Sequence, residues 1–330
     1  MSEPVYPAVD PGTKPAKSPW GKIRRWIFLL LKVAVSAGLM YWIITRVDLA
    51  RLAEFFTAES GTVLIVALLA LVQWAAEFVR LYVVLKDSRL SQPLPALFRA
   101  FFMGYAFRFV LPGNQGEIGK MLFIRGRPAH RASAYVYEKA GFVVAMLILA
   151  GLGLGRMYPR YTVAGLVLTG LMLLLLPVWN LIARRKFLEP YIPDRLRTVR
   201  PLVTQIGLSL VSMAIVSLQY YLFLAQFGMS FVDTGMVFVL VLAILLLPVS
   251  LAGVGLRESA TAVLLAAFQV PASLGTSIPF LIFVLNIAIP ALVGAVFFLF
   301  SKKQSLSEGL PSLSPEKIWG LRRYFRTASS

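Results

Sequence analysis

No cysteine occurs in the 330 residues, and histidine appears once, at His130. The first absence excludes disulfides, thiolate metal sites and thiol catalysis. The second leaves no histidine-ligated metal centre, and His130 reads as a loop residue. Acids are scarce as well, 15 Asp and Glu against 33 Lys and Arg, for a formal charge of +18. The acids that fall in apolar stretches are dispersed, with no Asp-x-x-Asp pattern and no nucleotide-binding glycine loop. Metal-using lipid transferases cluster their carboxylates within one or two helical turns, so no metal or other cofactor is expected.

What the chain has in quantity is apolar surface: 58% of its residues, with a mean hydropathy of +0.76. Windows from Trp26 to Ile44, Thr62 to Val84, Gly141 to Gly155, Thr162 to Ile182, Leu202 to Ala225 and Ile278 to Phe300 approach or exceed the length needed to cross hydrocarbon. The fold class expected is an all-α polytopic membrane protein of the bacterial inner-membrane type. The stretch before Trp26 is polar and has no apolar h-region, so a cleaved signal peptide is not expected.

In a soluble chain the basic excess would suggest nucleic acid, but its placement argues against that partner. Lys14, Lys17, Lys22, Arg24 and Arg25 precede the first window, and Arg80, Lys86 and Arg89 are read as following the second. Arg125, Arg127 and Arg131 come before the third, six basic residues fill 184–200, and Lys302 and Lys303 follow the last. The alternate loops are poorer, Arg156 and Arg160 excepted. The positive-inside rule then places both termini in the cytoplasm of a multi-pass cell-membrane protein, with anionic head groups meeting the basic loops.

That orientation leaves two segments that must enter and leave on one side. Residues from about Pro95 to Arg125 begin and end inside, broken at Pro112-Gly113-Asn114 with Gly116 just beyond. Residues from about Thr234 to Phe268 begin and end outside, broken at Pro248 and at Gly253 to Gly255. Each reads as a re-entrant helical hairpin, its returning half-helix starting at Gln115 or Leu256. About eight membrane segments result, six full spans and two oppositely oriented hairpins. They form an inverted-topology repeat with halves at about 26–156 and 160–300, between basic tails at 1–25 and 301–330. Broken helices persist in lipid only where protein, water or substrate satisfies their backbone, and many transporters build their sites from such pairs. Pro-kinked ordinary spans are the alternative.

Charges beside or within apolar segments normally face a cavity or a partner. Glu77, Arg108, Glu117, Lys120, Glu138, Lys139, Arg257 and Glu258 are so placed. Glu117 and Glu258 each fall in the first turn after a glycine break, where a carboxylate suits the helix terminus, with Arg108, Lys120 or Arg257 as partners. Beyond capping, the cations could hold a phosphate, for which the arginine fork is the better shape. The candidate translocation residues are therefore Arg108, Asn114, Glu117, Lys120, Glu138, Lys139, Arg257 and Glu258, and no catalytic residue is assigned.

At these positions the sequence resembles the lysylphosphatidylglycerol synthase transmembrane region, also described as a flippase-like integral membrane family. The matching motifs are Leu111-Pro112-Gly113-Asn114-Gln115-Gly116-Glu117 with Lys120 beyond, Glu138-Lys139, and Gly253-Val254-Gly255-Leu256-Arg257-Glu258. A departure falls at Phe142, where many members carry an aspartate. The resemblance implies movement of a phospholipid or lipid-linked glycan intermediate between leaflets by a stand-alone member lacking an aminoacyltransferase domain. Membrane lipids carrying a phosphate would be its substrates, and an enzyme making that lipid a partner. Gly165, Gly170 and Gly207 permit close helix packing, internally or in a homodimer. A gradient-driven small-solute carrier, a non-transporting scaffold and a lipid-modifying transferase are the alternatives.

Overall fold

A computed structural model describes residues 57, 59–90, 92–110, 115–183, 185, 191–246 and 255–300. The window from Trp26 to Ile44, both tails and most of the two breaks, Pro112, Gly113, Asn114, Pro248 and Gly253 included, lie outside the described residues. Those described are helical, without strands. In order they form α1 (Ser60–Asp87), α2 (Leu94–Val110), a 3₁₀ arm (Gln115–Phe123), α3 (Pro128–Met157) and α4 (Thr162–Ala183). There follow α5 (Val199–Leu224), α6 (Phe231–Ile244), α7 (Leu256–Ala266), α8 (Ala272–Phe283), a π turn (Val284–Ala288) and α9 (Ile289–Phe300).

Among the described residues, five helical stretches are long and apolar enough to cross a bilayer: Ser60–Asp87, Pro128–Met157, Pro159–Ala183, Val199–Phe227 and Ala272–Phe300. Each contains one of the apolar windows read from the sequence. The last is continuous through the π turn, which lies just before Pro290. Proline has no N–H to give to the preceding turn and crowds its carbonyl, and the wider turn relieves both.

Two apolar clusters mark the two ends of the bundle. One gathers Val63 of α1, Phe223 and Leu224 of α5, Met229 before α6, and Val270 between α7 and α8. The other gathers Leu85 of α1, Leu97 of α2, Ile124 after the 3₁₀ arm, Ala134 of α3, Leu202 of α5 and Ala291 of α9. The helices therefore alternate in direction. The second cluster lies at what we call the basic end, which carries Arg89, Arg125 and Arg127.

The two ends of the first segment expected to turn back lie side by side. The amide of Gln92, just before α2, donates to the Arg125 carbonyl at 3.2 Å, which brings entry and exit together. α7 starts at Leu256, as expected from the sequence, and Gln115–Phe123 is a 3₁₀ helix rather than an α-helix. Gly119 allows its close approach to α2: a Cβ there would lie 2.5 Å from the Phe107 ring. The last span, α8 to α9, covers α2, α3 covers α6, and α1 packs on α5, so each of these contacts joins the first half of the sequence to the second.

Two basic residues assigned to loops are part of the core. Arg80 lies inside α1 with 2% of its surface exposed, and Arg131 lies in α3, donating to the Met121 and Ile124 carbonyls at 3.1 and 3.2 Å. Arg131 thus satisfies carbonyls at the end of the 3₁₀ arm, which needs partners at its terminus. His130 belongs to the first turn of α3 rather than to a loop. Of the three small residues noted for packing, Gly165 sits against the Gly151 backbone of α3, while Gly170 and Gly207 face open space.

The paired entry and exit predict a labelling result. Single cysteines at Pro95 and Arg127, both exposed, will react with a membrane-impermeant thiol reagent from the same side. Gly126 is the poorer site, because its φ of 132° strains any side chain. Labelling of the two positions from opposite sides would refute the hairpin.

Candidate functional site

Between the two halves lies a cavity of about 520 Å³. α1 contributes Gln73, Glu77 and Arg80 to its wall, α2 contributes Tyr105 and Arg108, and the 3₁₀ arm contributes Glu117. Lys139 and Phe142 come from α3, Ser212 and Tyr220 from α5, Arg257 from the start of α7, and Asn286 from the π turn. The remainder is apolar, chiefly side chains of α3, α6 and α8.

On the first-half wall the charges form one connected network. Arg108 Nε meets Glu117 Oε1 at 2.9 Å, Lys139 Nζ pairs with Glu117 Oε2, and Lys120 Nζ stands 3.9 Å from the same carboxylate. Lys120 then bonds Glu138 Oε1 at 2.6 Å, Arg80 reaches Glu138 at 3.6 Å, and Arg80 holds Glu77 at 2.8 Å. Glu77 also accepts from Ser212 at 2.5 Å, tying α1 to α5. Burying such charges is tolerable only because each is paired and hydrogen-bonded.

Four of the sequence-selected residues, Arg108, Glu117, Lys139 and Arg257, line the cavity. Lys120 and Glu138 do not: they are buried behind its wall, 4% and 1% exposed, and hold the 3₁₀ arm to α3. Room for Lys120 comes from Gly104 on α2, where a Cβ would lie 3.0 Å from the lysine Cβ. Glu258 caps α7, its Oε2 accepting the Gly255 N–H at 2.6 Å, and Gly255 has the positive φ of 79° that this turn requires. Asn114 lies outside the described residues.

Sequence reasoning did not select Arg80, Glu77, Tyr105, Phe142, Gln219 or Asn286 for this site. Glu77 and Arg80 had a signal, since they stand three residues apart on one helical face. Phe142 supplies an aromatic face to cations: the Arg80 guanidinium lies 5.3 Å and the Lys139 ammonium 5.9 Å from its ring centre. Arg257 has a comparable platform, its guanidinium carbon 4.6 Å from the centre of the Phe283 ring. Asn286 and the buried Gln219 exchange amide hydrogen bonds of 2.6 and 3.3 Å, and Gln219 also donates to the Val66 carbonyl at 3.1 Å. No local pattern announces that pair, which joins residues 67 positions apart.

Among the groups on the cavity wall, four cations face two carboxylates. The surplus is positive, and aliphatic and aromatic side chains make up most of the remaining lining. Such a chamber is matched to an amphiphile with an anionic head. The sequence pattern of a family described as the lysylphosphatidylglycerol synthase TM region matches residues 29–294. A comparison with curated proteins gave no match.

Proposed function

The chain belongs to the lysylphosphatidylglycerol synthase TM region family, and from that premise we propose that it moves a phosphate-bearing membrane lipid between leaflets. The observation that carries the reading is the mixed lining of the cavity, with Arg80, Arg108, Lys139 and Arg257 on its wall among aliphatic and aromatic side chains. A lipid head group crosses hydrocarbon only at high cost. A translocator lowers that cost by giving the head a polar route while the tails stay among apolar groups.

In this reading the two turned-back segments are re-entrant hairpins of an inverted repeat, and the cavity lies at their junction near the midplane. The packing of α2 with α9 and of α6 with α3 supports it, as does the basic end, which the positive-inside rule assigns to the cytoplasm. The carboxylates of Glu77 and Glu117 keep Arg80, Arg108 and Lys139 paired when no lipid is present. When a phosphate enters, it competes with Glu117 for Arg108 and Lys139, so binding is an exchange of partners and release at the other side stays feasible. Phospholipids and lipid-linked glycan intermediates share the phosphate that this site would hold.

Reconstitution tests the proposal. In proteoliposomes of phosphatidylcholine, a trace of head-group-labelled phosphatidylglycerol will become accessible to a membrane-impermeant quencher from both leaflets. Protein-free vesicles will expose only the outer pool. Equal accessibility in both preparations would refute translocation, and a chemically altered head group would point to a transferase instead.

A further inference from the structure

Of all the described residues lining the cavity, two are exposed: Val136 on α3, at 52%, and Leu246 just past the end of α6, at 46%. The others are buried or half-buried. Their positions have a geometric cause. α3 and α6 run antiparallel and are in tight contact toward the end away from the basic one. A Cβ on Gly153 would lie 3.0 Å from the Met236 sulfur, and Ala150 packs with Val239 in one apolar cluster. Further along, Val143 and Leu242 still line the same wall, and at Val136 and Leu246 the wall reaches the lipid-facing surface. The cavity therefore opens sideways, between two helices.

We propose that this gap is a lateral portal through which the hydrocarbon tails of an anionic lipid leave the cavity while its phosphate is held by the cations inside. The proposal rests on the lipid-translocation reading and adds the path taken by the tails. The path has apolar side chains on both helices, Val143 and Leu242 within and Val136 and Leu246 at the mouth. Lys139, which pairs with Glu117, lies one turn from Val136 on the same helix and also lines the cavity. A charged head drawn to Lys139 and Arg108 consequently has its tails beside Val136 without burying a polar group among them. The depth fits as well. Val136 is eight residues into α3 from its start at the basic end, which at 1.5 Å per residue is about 12 Å along the helix. That places the mouth among the acyl chains of the basic-end leaflet rather than at its head groups.

The contrast with other exposed apolar residues gives the test. Leu174 on α4 is 60% exposed, lines no part of the cavity, and lies nine residues from the basic end of its helix, a depth close to that of Val136. The unaltered full-length protein is placed in phosphatidylcholine vesicles containing a trace of phosphatidylglycerol that carries a photoactivatable group along one tail. A second sample carries the same group on phosphatidylcholine. After illumination, peptide mass spectrometry reads adducts at Val136, Leu246 and Leu174. The phosphatidylglycerol tail is expected to label Val136 and Leu246 several-fold more than Leu174, and more than the phosphatidylcholine tail does. Arg257→Ala should abolish that preference.

Labelling at Val136 and Leu246 no greater than at Leu174, with leaflet exchange intact, overturns the portal and leaves the translocation reading standing. Enrichment that is equal for the two lipids and unchanged in Arg257→Ala overturns the coupling of tail path to an anionic head. In that outcome the reading on which the portal rests fails as well. As a second measurement, Val136→Trp combined with Leu246→Trp narrows the mouth without touching a charged residue, and it should slow phosphatidylglycerol exchange about tenfold. An unchanged rate counts against the portal.

Discussion

Arg257→Ala will slow leaflet exchange of phosphatidylglycerol by about ten- to a hundredfold, the loss expected when one hydrogen-bonded charge contact of about 1.5–3 kcal/mol disappears. Arg257 lies at the start of α7, buried to 7% exposure, and it is the cation that the second half contributes to the cavity wall. The other three, Arg80, Arg108 and Lys139, belong to the first half. Losing Arg257 removes the positive group from one side of the proposed route, so a head group held near Arg108 has nowhere favourable to go next. Arg257→Lys should recover only part of the rate. It keeps the charge but loses the planar fork and the stacking of a guanidinium over Phe283, 4.6 Å away. Membrane insertion should be unaltered, because α7 retains its Gly255 and Glu258 cap. A wild-type exchange rate in Arg257→Ala would refute the proposed route.

Glu117→Ala should have its largest effect on stability. One carboxylate accepts Arg108 on one oxygen and Lys139 on the other, with Lys120 3.9 Å away. Its removal leaves three cations crowded around a vacated position. Breaking a buried pair from one side costs about 3–5 kcal/mol, because the uncompensated charge stays behind. The thermal unfolding midpoint of the purified protein should drop well below that of the parent. Adding Lys139→Met to Glu117→Ala should restore part of the loss, because the second change removes one stranded cation. The double-mutant cycle isolates that coupling. If the double variant is less stable than Glu117→Ala by the full cost that Lys139→Met has on its own, the two groups do not interact as the geometry requires. Exchange rates normalised to folded protein then separate a carboxylate that only holds the 3₁₀ arm in place from one that also trades partners with a phosphate.

Hydropathy alone was sufficient to locate five of the helices, because hydrocarbon thickness sets the length of a span and lipid forces the backbone to satisfy itself within it. The start of α7 at Leu256 was legible for a related reason, since glycine interrupts a helix through local sterics that need no tertiary context. The cost of charge in an apolar run likewise marked Arg108, Glu117, Lys139 and Arg257 before any contact was known. Partnership was not legible. Glu138 and Lys139 are neighbours in sequence, yet successive helical residues are rotated by about 100°. One therefore bonds Lys120 behind the wall and the other reaches Glu117 inside the cavity. Arg80 was assigned to a loop because counting basic residues by sequence position cannot tell a helix end from its last buried turns. The aromatic platforms at Phe142 and Phe283, the Gln219–Asn286 pair and the lateral gap between Val136 and Leu246 depend on how far each helix is advanced and rotated against its neighbours. That register is decided by side-chain interlocking such as Lys120 over Gly104 and Gly153 against Met236, interactions between residues distant in the chain that leave no period or local motif in the sequence.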